Sequence, residues 1–73
     1  MVRCKFICIG KVPCGVEGTG ITLVPVNSGS EENKHFFSAT PAGKIELGIV
    51  NQATAKRFDE GKEYYIDIAP AGE

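Results

Sequence analysis

Lys5, Lys34 and Lys44, with the hydroxyls of Ser28, Ser30 and Thr40 and the amide of Asn33, are the side chains best suited to hold a small anion. Ammonium groups supply charge, and hydroxyl and amide donors supply directed hydrogen bonds to its oxygens. Ser28, Ser30 and Asn33 fall in one polar run, SGSEEN, whose turn-forming residues present several donors to one spot. The same run carries Glu31 and Glu32, which repel an anion unless Lys34, Lys44 or a neighbouring subunit offsets them. The plain alternative is an exposed, solvated loop. Phe36 and Phe37, adjacent in an extended segment, point to opposite faces, which leaves one of them for a subunit contact or for stacking on a base. Tyr65 shares its face with Glu63 and Asp67, which sets its ring at a rim with the hydroxyl available to a ligand or to water.

No catalytic grouping is legible beside these. Thr40-Pro41-Ala42-Gly43-Lys44 lacks the longer Gly-to-Gly-Lys spacing, the following Ser or Thr and the helix of a Walker loop, so it reads first as a turn with a solvated lysine. Its second reading is a rim where Thr40 and Lys44 hold a phosphate without hydrolysing it. His35 has no Asp, Ser or nucleophilic Cys beside it in sequence, and the acid pairs Glu31-Glu32 and Asp59-Glu60 sit in turn contexts. Cys4 and Cys8 share one face of an alternating run with their Cα atoms about 13 Å apart, beyond the reach of a disulfide. Three cysteines, an odd number, and no leader pattern fit a reducing compartment. The cysteines are read as unbridged thiols serving as small hydrophobes, because a zinc site of the three with His35 lacks the spacing of structural zinc ligands. The expectation is a non-enzymatic protein with no metal and no cofactor.

The elements that must position these residues are mostly strands. Residues 2–11 alternate, with Val2, Cys4, Phe6 and Cys8 on one face and Arg3, Lys5, Ile7 and Ile9 on the other, the second face basic at its start and apolar at its end. Glycines and Pro13 then punctuate a loose hairpin loop up to Gly20, and residues 21–26 form a β-branched second strand closed by Pro25. A loop over 27–34, a short third strand over 35–39, a tight turn at 40–43 and a fourth strand over 44–50 follow, with Ile45, Leu47 and Ile49 inward. Asn51 reads as the N-cap of a short helix over 52–58, stapled by Val50 onto Ala55 and turning Ala55 and Phe58 to the core. Gly61 stops that helix. Residues 63–69 resume alternation, with Tyr64, Ile66 and Ile68 on one side and Glu63, Tyr65 and Asp67 on the other.

The fold class that follows is mainly β: a small barrel or strongly bent antiparallel sheet of about five strands, with one short helix before the last. An OB-like barrel is the nearest common architecture, although its helix normally lies between the third and fourth strands. A single domain of 73 residues buries only about 60% of its unfolded surface, so with neither disulfide nor metal a homo-oligomer is the expected way to cover more. The net charge of −1, with acids and bases interspersed, gives no footprint for duplex DNA, and no apolar run reaches the length of a membrane span.

Much of the chain resembles a family of short, uncharacterised proteins of tailed bacteriophages and prophages. The resemblance lies in Lys5-Phe6, in SGSEENK from Ser28 to Lys34 followed by Phe36-Phe37, in TPAGKIE from Thr40 to Glu46, in Asn51, Ala55 and Phe58, and in GKEYYID from Gly61 to Asp67. It departs between Pro13 and Thr19, and no catalytic or binding residue is carried over from it. The resemblance implies a phage accessory protein acting in the cytoplasm of an infected bacterium. Joined to the polar loop, the aromatics and the thin core, it leads to one expectation: an anti-defence sponge that sequesters a small anionic, nucleotide-type signal between the copies of an oligomer. Lys5, Lys34, Thr40 and Lys44 would converge on the ligand from two chains. The alternatives are an OB-like binder of single-stranded nucleic acid, stacking bases on Phe36 or Phe37 and Tyr65, and a virion or host-protein interaction module with no small ligand.

Overall fold

The computed structural model describes residues 2–16, 18–39 and 42–72, apart from the side chains of Cys14, Phe37, Ser38 and Ala39. Alternation carries the first strand as expected: Cys4, Phe6 and Cys8 are buried, and their neighbours Arg3, Lys5 and Ile7 lie on the other face. The strand does not stop at residue 11, however. β1 spans Val2–Cys14 and turns back directly into β2, Gly18–Pro25, so the expected loose loop is a long hairpin. The reason is a bulge. The register slips between Cys8 and Gly10, leaving Ile9 unpaired, and the side-chain phase inverts there. Beyond it Lys11 stands opposite buried Ile21 and Pro13 opposite Thr19, so the even-numbered inward pattern ends while the ladder goes on.

β3, Ile45–Ile49, and β4, Glu63–Ile68, complete a four-stranded antiparallel sheet in the order β3-β2-β1-β4, curled into a half barrel. The class is as expected, with four strands in place of five. The missing strand is a correction: residues 35–39 lie in a helix, α1, Glu31–Ala39. Ser30 caps it, its Oγ accepting the Asn33 N–H at 3.0 Å, and Glu31 and Glu32 sit in the first turn, where carboxylates favour the positive end of the helix dipole. Phe36 and Phe37 are therefore successive helical positions, about 100° apart, instead of opposite faces of a strand.

The second helix, α2, is Gln52–Ala55, shorter than the expected 52–58. Asn51 caps it, Oδ1 accepting the Thr54 N–H at 3.0 Å, while Val50 is 74% exposed and does not staple. Ala55 is buried and Phe58 packs on the core edge. The turn after α2 is pinned by Tyr64, whose hydroxyl donates to the Arg57 carbonyl and accepts the Asp59 N–H, both at 2.9 Å. The chain is then clipped to the bulge: Gly61 N–H donates to the Cys8 carbonyl at 2.8 Å, and Cys8 N–H donates to the Lys62 carbonyl at 3.0 Å.

The core is Cys4, Phe6, Cys8, Ile21 and Leu23, with Ile45, Ile49, Phe58, Tyr64 and Ile66 packed against it. Cys4 and Cys8 are buried thiols outside any disulfide, and the Cys14 side chain lies outside the described residues. Leu47, expected inward, does stand opposite Ile21, yet it is 39% exposed where Ile21 is 1% exposed. The half barrel is open at that edge. A radius of gyration of 13.4 Å, against about 11 Å for a compact chain of this length, fits a flat, extended sheet better than a closed barrel.

Candidate functional site

The face of the sheet away from the core gathers the polar side chains. Antiparallel pairing sets Arg3 opposite Asp67, Lys5 opposite Tyr65 and Ile7 opposite Glu63, so alternating residues of two strands form one patch. Helix α1 lies across it. The Lys5 ammonium sits between two carboxylates, 3.1 Å from Glu32 Oε2 and 3.1 Å from Glu63 Oε1, with its side chain only 13% exposed. The same Glu32 oxygen accepts the Tyr65 hydroxyl at 2.6 Å. The other Glu63 oxygen accepts from Asn33 Nδ2 at 2.8 Å, and that amide also donates to the Ser28 carbonyl at 2.8 Å. Arg3 grips Asp67 with two hydrogen bonds, of 2.7 and 2.9 Å, and stands 5.1 Å from the centre of the Tyr65 ring. Phe36 flanks Tyr65 with ring centres 6.0 Å apart.

These contacts fix the protonation states. The Tyr65 hydroxyl, and after it Lys5, hold the Glu32 carboxyl below its ordinary range, and the Asn33 amide followed by Lys5 does the same for Glu63. Hydrogen bonding to Glu32 raises Lys5 and Tyr65, and hydrogen bonding to Asp67 raises Arg3. The carboxylates thus stay ionised and the phenol stays protonated near neutrality. Asn33 is 2% exposed, and its Oδ1 has no hydrogen-bond partner. Gly29, at φ +106°, holds the turn that brings the Ser28 carbonyl to Asn33, and a Cβ there would lie 3.5 Å from Nδ2.

Of the residues singled out in the sequence, Lys5, Asn33, Phe36 and Tyr65 come together here. Ser28 and Ser30 shape the entry to α1, one through its carbonyl and one as a cap. Lys34 is exposed on α1, 3.9 Å from Glu31, and Lys44 is exposed ahead of β3, 3.7 Å from Glu46; neither joins the cluster. Thr40 and the Phe37 side chain lie outside the described residues. Glu32, Glu63, Arg3 and Asp67 were not singled out as site residues. Their signal was present: Arg-x-Lys in the first strand matches Glu-x-Tyr-x-Asp in the last, both on the face away from the core. A shallow cleft of about 420 Å³ at the β1–β2 turn, lined by Lys11, Val12, Pro13, Val16, Thr19 and Gln52 among others, shares no residue with the cluster.

Among the described residues, no group of three or more His, Cys, Asp or Glu is placed to hold a metal ion, and no helix is long and apolar enough to cross a membrane. Comparison of the chain with protein-family models, with curated proteins and with solved structures finds no match. The fold and the patch define a small half-barrel β-protein with a helix pinned to its outer face by a lysine held between two glutamates.

Proposed function

We propose that this protein is a non-enzymatic binding protein that works as a homo-oligomer and sequesters a small anionic ligand of nucleotide type. In the setting that the phage resemblance implies, the ligand is a signal of bacterial defence. The observation that supports the reading is the seat of the Glu32 carboxylate. It rests between the Lys5 ammonium and the Tyr65 hydroxyl, a charged donor and a directed donor meeting on one oxygen. That is the pair of contacts an oxyanion needs. Glu32 occupies the seat from a helix on the surface, so an incoming phosphate or carboxylate takes its place by lifting one side chain. The Phe36 and Tyr65 rings beside the seat, tilted 55° to each other, offer aromatic surface against which a base can pack.

Titration of the purified protein with a panel of mono-, di- and cyclic nucleotides, read by native mass spectrometry, tests this. Glu32→Ala is expected to bind the preferred nucleotide at least tenfold more tightly than the parent, and Lys5→Met is expected to lose it. If parent and Glu32→Ala alike bind none of the panel, the reading fails. The second reading, an interaction module for a host or virion protein, is favoured by one observation: Lys5 is already balanced within the chain by Glu32 and Glu63.

A further inference from the structure

We infer that β3 pairs antiparallel with β3 of a second copy of this chain about a two-fold axis at Leu47, joining two half barrels into one eight-stranded sheet. The inference deepens the homo-oligomer reading above by naming its interface. β3 is an edge: among the described residues its ladder runs to β2 alone, and one side of its backbone has no strand partner there. Its sequence is self-complementary about its centre. With Leu47 opposite Leu47 of the partner subunit, Ile45 meets Ile49 of the partner subunit on the core face. Glu46 meets Gly48 of the partner subunit on the other face, so no like charges are opposed. In the same register Lys44 lies opposite Val50 of the partner subunit, and its aliphatic stem covers a valine that is 74% exposed in the single chain.

Burial agrees with this choice of edge. Leu47 stands on the core face across from Ile21, yet is 39% exposed, so the hydrophobic core opens to solvent at β3. A second β3 closes that opening with the same residue type from the other side. The opposite edge is guarded. β4 carries Glu63, Tyr65 and Asp67 on its outer face, tied up with Lys5, Arg3 and α1. Charge of this kind is how natural sheets discourage pairing at an edge. Five residues from each chain make a small contact beside the roughly 1,200 Å² of a standard interface, so the dimer is expected to be concentration-dependent.

Facing residues of an antiparallel pair have Cα atoms ~4.5–5.5 Å apart, within the span of a disulfide. The test is therefore Leu47→Cys in a Cys14→Ser background under mild oxidation, read on a non-reducing gel, beside light scattering of the parent and of Leu47→Lys. The expected result is a covalent dimer for Leu47→Cys, a concentration-dependent dimer for the parent, and a monomer with an unchanged circular dichroism spectrum for Leu47→Lys. A parent that stays monomeric at its solubility limit overturns the inference. So does an oligomer that survives Leu47→Lys with no cross-link at position 47; in that case the homo-oligomer reading still stands and only this interface falls. Nucleotide binding by Leu47→Lys shows separately whether the ligand seat needs the second copy.

Discussion

Asn33 is the residue through which helix, loop and sheet meet, since one amide nitrogen donates both to the Ser28 carbonyl and to Glu63. Its replacement by Asp sets a carboxylate, itself at a buried position, against the Ser28 carbonyl and the Glu63 carboxylate. Asn33→Asp should cost about 1–3 kcal/mol at neutral pH, because the new carboxylate loses both hydrogen bonds at a position only 2% exposed, as measured by urea unfolding. The loss should shrink in acid, where the new carboxyl takes a proton. The native cluster has its own pH limits. Glu32 and Glu63 titrate lower folded than unfolded, so their stabilisation is complete above the unfolded value of about 4.3 and is lost as pH falls through the folded values. Lys5 and Tyr65 titrate higher when folded, so theirs is complete below about 10 and is lost as pH rises through the folded values. Relative to intrinsic exchange at each pH, α1 is expected to lose hydrogen-exchange protection at both extremes before β1 and β2 do, and Glu32→Gln with Glu63→Gln should flatten the acid limb. Equal loss of protection in all three elements would contradict this account.

The elements show where pattern reading works and where it stops. Alternation in β1 before the bulge and in β4 was legible because each strand has one buried face, and the Asn51 cap was legible because its oxygen binds the backbone three residues on. Two features escaped for physical reasons. Ser30 reads as a loop residue, and packing of Glu32, Asn33 and Phe36 onto the sheet face makes it the cap of a helix over 31–39. The bulge at Ile9 reverses the phase of the strand, so the continuation through residues 11–14 does not follow from the pattern before it. The bulge also makes a prediction. With Ile9 absent, Cys8 still faces Leu23 and Lys11 still faces Ile21, and Gly10 falls into a regular ladder. Deletion of Ile9 should keep the fold, whereas deletion of Ile7, with Cys8 held opposite Leu23, drives Arg3 and Lys5 to the core face and turns Cys4 and Phe6 out of it. Dispersed amide spectra for the first variant and collapsed spectra for the second are the expected outcome; folded spectra from both would count against a fixed register.

At the scale of the molecule, the sheet class and the thin core followed from size and patterning, whereas the candidate site did so only in part. Lys5, Asn33, Phe36 and Tyr65 were named from their chemistry, but of their acidic partners Glu32 lies on α1, 27 positions from Lys5, and Glu63 comes with the β1–β4 pairing, which joins Arg3 to Asp67 across 64 positions, distances local patterns do not bridge. That span has a consequence for synthesis. β1 lies between β2, which it meets through a short turn, and β4, which is translated some fifty residues later. While the chain is still growing, the β1–β2 hairpin can form at once, but the flank of β1 that carries Cys4 and Phe6 next to Ile66 and Tyr64 stays open until β4 arrives. During that interval the nascent chain exposes an unpaired apolar strand edge, the kind of surface that draws chaperones or neighbouring chains. A ribosome stalled before residue 63 would therefore hold a hairpin competent to aggregate, and completion of β4 with its Gly61–Cys8 clip is the step that removes the hazard.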